Sequence, residues 1–335
     1  MAARARRVAA AGLALVLLAG GAGAWLDRSL WGVRSTGVVA LEIERGRSAG
    51  EILEQLHDEG LIPSPLAGQL YVRARARVRT MHFGRYRFPT GSRPVDVLES
   101  ILEGRVETFE LTVVEGSDAA GIADLFVGAG VGTAEEWARV IADPSWVAPQ
   151  VPGAPSLEGF LFPDTYRFAV GVEARFAARH LVDRFLAVWE DERAAAPPLW
   201  GTPLEVVTLA SLVEAETSHA AERAEIAGVF VNRLRRGMLL QCDPTVVYAL
   251  KRRGEWRDRL LRVHWAIDDP YNTYRYPGLP PGPINSPGRA ALRAAAAPAA
   301  TPHLYFVARP EGGHTFSATL ADHNRAVARL RAARR

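Results

Sequence analysis

A glutamate within an apolar segment is the residue best suited to acid–base chemistry in this sequence. The periodicity of residues 204–216 predicts a helix. Glu216 follows Leu209 by seven positions and, at about 100° per residue, falls on the same apolar face as Leu209 and Val213. A carboxyl group on such a face is poorly solvated as an anion, so its pKa rises and it can donate a proton near neutral pH. Glu216 is therefore a candidate general acid.

The same periodicity assigns neighbouring acidic residues to the opposite, solvated face. This prediction covers Glu214 and, in a second helix over residues 219–236, Glu222 and Glu225. It holds beyond residue 216 only if Thr217 does not break the helix. A structural ion pair between Glu216 and Arg223 is the alternative to a catalytic role. The position of Glu216 on the helix does not decide between the two.

Further polar and aromatic side chains cluster at close spacing after this helix. Residues 240–245 supply an amide, an acid and a hydroxyl, and 271–276 supply aromatic faces beside hydrogen-bonding groups. Aromatic planes interleaved with polar groups suit a sugar chain, although each residue taken alone more often supports the fold. The candidate substrate-binding residues are Glu158, Gln241, Asp243, Thr245, Asn272, Tyr274 and Asn285.

Other catalytic chemistries have weaker support in the sequence. Cys242 is the single cysteine, which excludes an intramolecular disulfide and a cysteine zinc site. Glu216 and His219 have the spacing of a di-iron motif, but the further glutamates of a di-metal bundle have no counterpart. Ser48 lies in a G-x-S-x-G pattern, yet with Glu51 it fits a helix capping box better than a nucleophile. The sequence predicts neither a metal nor an organic cofactor.

Length and composition limit the class of protein. The chain has 335 residues, 48% of them hydrophobic and 23% charged, which is typical of two folded units and excludes wholesale disorder. The net charge is only +3, and acidic residues are interspersed with the basic ones. A nucleic-acid-binding protein would concentrate its cations on one face, so we expect no nucleic-acid partner.

The N-terminal segment predicts a membrane anchor. Residues 8–26 carry no charged side chain and are just long enough to cross a bilayer. Arg4, Arg6 and Arg7 precede them and favour a cytoplasmic N-terminus, with everything from about residue 30 outside the cytoplasm. A cleaved signal peptide ending near residues 22–24 is the alternative, and it leads to the same compartment.

Short strand–helix units follow the anchor. Residues 38–44, 84–88 and 109–114 each predict a strand followed by a helix, and the first and third units align at a constant offset of about 70 residues. Such units resemble LysM modules, which lie along glycan strands; an ordinary α+β packing domain is equally compatible. Later segments alternate helices and strands without a regular βαβ rhythm, which predicts a mixed α+β fold.

Several long motifs resemble one family. They are LASLVEAET (209–217), FVNRLRRGMLLQCDPTVVYAL (230–250), YNTY (271–274), GLPPGPINSPG (278–288), HLYFVARPEGGHTF (303–316) and EGFLFPDTY (158–166). Together they are similar to the YceG-like endolytic murein transglycosylase family over nearly the whole chain. The resemblance implies that the second glutamate of the E-x-E-T motif, Glu216, is catalytic. Cys242 stands where the family usually has Ser or Thr.

The resemblance implies a domain order and an activity. Residues 1–7 would be a cytoplasmic stub, 8–26 a transmembrane helix, 36–105 a LysM-like module and 106–335 the catalytic domain. The protein would be a single-pass inner-membrane lyase that cuts nascent peptidoglycan strands internally, leaves 1,6-anhydromuramyl ends and needs no cofactor. Glycan strands, the membrane and cell-wall synthases such as penicillin-binding proteins would be its partners. A non-catalytic glycan-binding scaffold and a hydrolytic glycosidase are the alternatives.

Overall fold

The structure is a computed structural model that describes residues 2–32, 35–75, 80–197 and 199–333. In these ranges helices alternate with short strands that pair into two-stranded sheets, which confirms the predicted mixed α+β fold. The chain divides into two compact units. The first comprises residues 1–109 and 167–171, and the second comprises residues 110–166 and 172–335.

Helix α1 (Ala2–Trp31) opens the chain. Its segment Ala11–Trp31 is long and apolar enough to cross a membrane by length and composition. Large apolar side chains along it, such as Leu15 and Leu18, are exposed to more than two thirds of their area. The segment therefore agrees with the predicted span, displaced by a few residues towards the C-terminus.

The first unit is built from two strand–helix segments. Its elements after α1 are β1 (Val39–Ile43), α2 (Ala49–Asp58), α3 (Pro65–Ala74), β2 (Gly84–Phe88) and α4 (Pro94–Leu102). Strands β1 and β2 pair antiparallel, with Leu41 opposite Tyr86. Alternate residues of both strands point into a core shared with α2 and α4, as expected for sheets with one buried face.

Local sequence explains where α2 begins. The Ser48 side chain accepts from the Glu51 backbone N–H, and the Glu51 carboxylate accepts from the Ser48 backbone N–H. This reciprocal pair satisfies two amide groups that a helix start leaves unpaired. The capping interpretation of Ser48 is thus confirmed.

The remaining elements position the candidate site. They are β3 (Thr108–Thr112), α5 (Ala119–Gly128), α6 (Ala134–Ile141), β4 (Thr165–Ala169), α7 (Ala174–Ala195), α8 (Pro203–Glu216), α9 (Arg223–Arg235), α10 (Asp243–Arg252), α11 (Arg289–Ala296), β5 (Tyr305–Ala308), β6 (His314–Ser317) and α12 (Leu320–Ala333). Helix α8 packs against α9 and α11, where α11 presents the buried small residues Ala291 and Ala295. Every residue of α8 from Val206 to Val213 is buried, so α8 is the central helix of this unit.

The structure departs from the sequence prediction at the end of α8. Thr217 has an extended backbone and closes the helix, and a short 3-10 turn over Ala220–Glu222 precedes α9. Thr217 therefore does break the helix, and the helical periodicity of α8 does not extend beyond residue 216. Helix α10 was not predicted, because residues 240–245 were considered only as polar groups for substrate binding. Pro244 lies in the first helical turn, where its missing N–H costs nothing.

Candidate active site

Glu216 is the last residue of α8. Thr202 begins this helix with a capping box to Glu205, and Pro203 follows in the first turn. At the other end, the Thr217 N–H donates to the Val213 carbonyl, 3.3 Å away. The helix thus ends at Glu216, whose side chain is half-buried and whose neighbour Ala215 lines a cleft.

The surroundings of Glu216 raise the pKa of its carboxyl group. Burial is the main cause, and the negative charge of Asp243 acts in the same direction. A hydrogen bond from Cys242 and the positive charges of His314 and Arg233 oppose the shift. The balance favours the protonated acid, which is the form that a general acid requires.

Cys242 is buried beside Glu216. Its thiol donates a hydrogen bond to the Glu216 carboxylate, and burial together with that negative charge raises the thiol pKa well above its ordinary value. The Cys242 backbone N–H donates to the Thr273 hydroxyl at 3.0 Å, which fixes the residue in place. A protonated thiol of this kind is a hydrogen-bond donor and not a nucleophile.

Asp243 forms the centre of an aromatic cluster at the cleft. Its Oδ1 accepts from the Tyr274 hydroxyl at 2.7 Å and from Trp265 Nε1 at 3.0 Å. The rings of Trp265 and Tyr274 stack with their centroids 5.1 Å apart. Burial and the hydrogen bond to Asp243 raise the pKa of Tyr274, so its hydroxyl stays a donor. The cluster offers an aromatic face next to a carboxylate.

His314 approaches Glu216 from the β5–β6 hairpin. Its ring Nδ1 lies 2.7 Å from Glu222 Oε2, and its backbone N–H donates to Glu222 Oε1 at 2.9 Å. Burial by itself would raise the pKa of Glu222, but these hydrogen bonds and the charge of His314 outweigh it, and the pKa is lowered. Glu222 is therefore largely enclosed and ion-paired rather than on a solvated face, because α9 does not continue the phase of α8.

A cavity of about 420 Å³ begins beside Glu216, at Ala215 and Asp243. Asn285 forms part of its wall; its side-chain N–H donates to the Ser211 carbonyl at 2.9 Å, while its Oδ1 has no protein partner. That oxygen is itself buried, and contact of Asn285 with substrate stays a prediction. The cavity volume lies in the range of small-molecule sites.

The other predicted binding residues occupy different environments. Thr245 is fully buried and its hydroxyl bonds to the Cys242 carbonyl and the Thr273 hydroxyl. Asn272 is fully buried as well, and its side chain donates to two carbonyls of the preceding turn. Gln241 is exposed, with a φ of 51°. The first two side chains support the cleft, and direct contact of any of the three with substrate remains a prediction.

Glu158 lines a neighbouring cavity and not the cleft beside Glu216. It is 6% exposed, and both carboxyl oxygens accept from the Ala119 N–H at the start of α5, at 3.0 and 3.2 Å. The Tyr248 hydroxyl donates to Oε2 at 3.1 Å. Burial raises the pKa of Glu158 to about 7. Sequence reasoning selected this residue but had no signal for its burial.

The prediction that Glu214 lies on a solvated face is wrong. Its side chain is 7% exposed and forms an ion pair with Arg223 at 3.1 Å. The second carboxyl oxygen accepts from the Gly288 N–H at 2.9 Å. Because helix α8 is surrounded by other elements, its sequence periodicity does not distinguish a solvent-exposed face from a buried one. The Arg223 partner expected as the alternative for Glu216 belongs to Glu214.

Within the described ranges, no group of three or more His, Cys, Asp or Glu side chains is arranged to hold a metal ion. Glu216 and His219, which share the di-iron spacing, lie on opposite sides of the break after α8. The chemistry supported by the described side chains is therefore that of a carboxylic acid beside a polar and aromatic cleft.

Fold and site together define the class: a mixed α+β enzyme with a carboxyl group of raised pKa, the candidate acid, at the end of a buried helix. The chain belongs to the YceG-like family, whose profile matches residues 41–329. An endolytic murein transglycosylase of Bacillus subtilis (strain 168) is 30% identical over 304 residues, covering 86% of this chain and 83% of the relative.

Further comparisons agree with this family. An endolytic murein transglycosylase of Streptococcus pneumoniae serotype 2 is 29% identical over 327 residues, and the match covers 87% of this chain but only 58% of that longer relative. The crystal structure of a YceG-like protein from Listeria monocytogenes superposes with a TM-score of 0.57 at 30% identity, covering 87% of this chain and 100% of that one.

Proposed function

We propose that this chain is a membrane-anchored endolytic lytic transglycosylase of peptidoglycan. It cleaves the β-1,4 bond between N-acetylmuramic acid and N-acetylglucosamine in nascent strands, leaves 1,6-anhydromuramyl ends and so terminates strand elongation. The observation that carries the proposal is Glu216, a half-buried carboxyl of raised pKa at the edge of a polar cleft. The names of the curated relatives support the substrate.

A single carboxyl group is sufficient for this reaction. Protonated Glu216 donates its proton to the glycosidic oxygen as the bond to the muramyl C1 breaks. The resulting carboxylate then takes the proton of the muramyl C6 hydroxyl as that oxygen bonds to C1. The 1,6-anhydro ring forms, the second strand leaves with a free hydroxyl, and Glu216 is protonated again. No water is consumed and no second carboxylate is required, whereas ordinary glycosidases consume water and use two carboxyl groups.

Asp243 favours one competing function, a hydrolytic glycosidase. Its carboxylate is close enough to Glu216 to raise the pKa of that group, and glycosidases use such acid–base pairs with water. Two hydrogen bonds from Trp265 and Tyr274 occupy its Oδ1 and suit an electrostatic role instead. In the transglycosylase mechanism, Asp243→Asn therefore keeps the anhydro product; loss of all cleavage would favour the hydrolase.

The direct test replaces Glu216 by glutamine. The amide keeps the size of the side chain but can neither donate the proton nor accept it, and loss of acid–base catalysis costs about 10²–10⁴-fold. Purified full-length protein is incubated with nascent peptidoglycan, and anhydro-ended, reducing-ended and uncut products are separated by mass. We expect anhydro ends from the wild type and almost none from Glu216→Gln.

Glu190→Gln is the matched control, since Glu190 is an exposed residue of α7 whose partner is the exposed Arg193. It should keep wild-type turnover. Reducing ends from the wild type would identify a hydrolase, and binding without cleavage would identify the scaffold. Near-normal activity of Glu216→Gln would exclude Glu216 as the acid.

The anchor and the first unit complete the proposal. Arg4, Arg6 and Arg7 favour a cytoplasmic N-terminus, which leaves the Glu216 cleft outside the inner membrane. A C-terminal alkaline phosphatase fusion should be active in cells, and an inactive fusion would contradict this topology.

The first unit acts as the LysM-like glycan-binding module, and cell-wall synthases supply the nascent strand.

Binding by the LysM-like module has its own test. Deletion of residues 36–105 should weaken sedimentation of the protein with peptidoglycan while slow anhydro-end release continues. Undiminished sedimentation of the folded deletion protein would contradict a glycan-binding role for these residues.

A further inference from the structure

Arg233 is a cation buried in α9, with only 9% of its area exposed. Its Nε donates to the Leu304 carbonyl at 2.7 Å. Its Nη1 donates to the Leu240 carbonyl at 2.7 Å and to the Leu239 carbonyl at 3.4 Å. The guanidinium carbon lies 5.2 Å from the centre of the Tyr305 ring. The side chain therefore joins α9 to β5 and to the segment that precedes α10.

The positive charge of Arg233 is not neutralised by its hydrogen-bond partners. A buried guanidinium is normally paired with a carboxylate, as Arg223 is with Glu214. In the described part of the chain, the hydrogen bonds of Arg233 end on carbonyl oxygens instead. Burial lowers the pKa of Arg233, yet a guanidinium keeps its charge near neutral pH. The carboxyl group whose charge acts on it is that of Glu216.

The end of α9 brings residues 239 and 240 back to the Arg233 side chain. The Gly237 N–H donates to the Leu234 carbonyl at 3.1 Å, and the Met238 N–H donates to the Arg233 carbonyl at 2.9 Å. This pair of bonds is a Schellman motif, which requires a left-handed residue, and Gly237 has a φ of 64°. The chain reverses direction here, so the residues that follow pass beside Arg233.

Residues 240–242, which we call the 240–242 turn, have a strained backbone held from two sides. Gln241 has a φ of 51°, which is unfavourable for a residue with a Cβ. Arg233 binds the carbonyl before it, while Thr273 accepts from the Gln241 N–H at 3.1 Å and from the Cys242 N–H at 3.0 Å. Such strain persists where the surroundings impose it, often at functional sites. Here the turn brings the Cys242 thiol to the Glu216 carboxylate.

Several titratable groups lie around this pair of charges. Those that interact with Glu216 or Arg233 are Cys242, Asp243, Tyr274, Tyr305, His314 and His323. Burial and the charge of Arg233 lower the pKa of His323, which keeps that ring neutral. His314 is already paired with Glu222. Among these groups and Arg233, only the guanidinium is positively charged at every working pH.

We propose that Arg233 is a positioning residue for Glu216. It holds the 240–242 turn against the acid and supplies the buried positive charge that stabilises the Glu216 carboxylate after the proton has left. This inference rests on the proposed function, in which Glu216 becomes a carboxylate as the glycosidic bond breaks. A fixed charge that favours the carboxylate helps the acid to release its proton and requires no rearrangement during the reaction.

The test removes or keeps the charge at position 233. Arg233→Met removes the charge and the hydrogen-bond donors, whereas Arg233→Lys keeps the charge with fewer donors. Arg235→Met is the matched control, since Arg235 is an exposed residue of the same helix. For each full-length variant, the pH dependence of kcat/KM is measured from the release of anhydro ends. The pKa of Glu216 is measured separately, from the infrared carboxyl band that Glu216→Gln abolishes.

We expect Arg233→Met to lower kcat about tenfold or more, because a preorganised charge is lost. The alkaline limb of the profile and the pKa of Glu216 should both rise by about 0.5 pH unit or more, since the carboxylate loses a stabilising charge. Arg233→Lys should leave the limb and the pKa close to those of the wild type, and Arg235→Met should change neither.

A lower thermal midpoint of Arg233→Met with an unmoved profile and pKa would assign Arg233 a structural role only and overturn the proposal. An equal shift in Arg233→Lys would overturn it as well, because the charge would not be the cause. If Arg233→Met does not fold, Arg233→Gln, an uncharged hydrogen-bond donor, should give the same shift. Absence of anhydro ends from the wild type would instead refute the proposed function, and the infrared pKa still decides whether Arg233 acts on Glu216.

Discussion

Glu158→Gln tests whether the buried carboxyl at the start of α5 is neutral in the folded protein. Burial raises the pKa of Glu158 from 4.5 to about 7. Because the folded-state pKa is the higher one, the folded protein binds more protons than the unfolded chain between these pH values. Stability is therefore fully present below about pH 4.5 and is lost as the pH rises towards 7. Glutamine does not ionise and does not lose this contribution.

The size of the effect follows from the pKa. A rise from 4.5 to about 7 corresponds to about 3 kcal/mol, at about 1.4 kcal/mol per pH unit. The side chain is only 6% exposed, so solvent screening reduces this little. Relative to the wild type, Glu158→Gln should gain about 3 kcal/mol between pH 4.5 and pH 8, or about 6–12 °C in thermal midpoint.

The assay is thermal unfolding of full-length protein in detergent, followed by near-ultraviolet circular dichroism at several pH values. Subtracting the wild-type curve removes the contribution of all other titrating groups. Glu173→Gln is the control, because Glu173 is an exposed residue preceding α7 whose side chain makes no cap hydrogen bond. It measures the effect on the thermal midpoint of a Glu→Gln change at an exposed position. A difference for Glu158→Gln that is independent of pH would refute the reasoning.

Three further variants test the surroundings of the acid and the start of α2. Glu214→Gln leaves Arg223 without its buried partner and should lower the free energy of unfolding by about 3 kcal/mol, seen as a lower thermal midpoint; an unchanged midpoint would contradict the buried ion pair. Cys242→Ala removes a hydrogen bond that lowers the pKa of Glu216, so the alkaline limb of the pH–kcat/KM profile should move to higher pH, whereas Cys242→Ser keeps a donor and should not show this rise. Ser48→Ala should cost about 1 kcal/mol in denaturant unfolding without changing kcat/KM, and an activity loss in folded protein would reopen a catalytic role.

Much of the fold is predictable from the sequence because its determinants are local. The strand at residues 84–88 and the helix start at Ser48 both lie where the sequence pattern indicates. The alternation of side chains in a strand, the capping of a helix and the effect of a proline each depend only on residues that are close in sequence. Helix α10 was missed since the same local rules assign Asp243-Pro244 equally to a turn or to a helix start.

The candidate acid was identified partly for a reason that the structure does not support. The helical periodicity placed Glu216 on the apolar face of α8 and Glu214 on the solvated face. In the structure, the residues around α8 bury the Glu214 side chain too. What distinguishes the two carboxyl groups is their partners. Glu214 meets Arg223 and the Gly288 N–H, whereas Glu216 meets Cys242 and the charge of Asp243.

By itself, the sequence determined most of the elements, the apolar N-terminal helix, the family motifs and the choice of Glu216 as the candidate acid. Only the tertiary structure decided that buried Glu158 accepts from the first N–H of α5, that Thr245 and Asn272 support the cleft from within, and that two cavities lie beside α10. The physical reason is distance along the chain. The pKa of a buried group and the shape of a cavity depend on residues that are far apart in sequence, such as residues 118, 158 and 248. No local sequence pattern predicts which of these residues will be in contact.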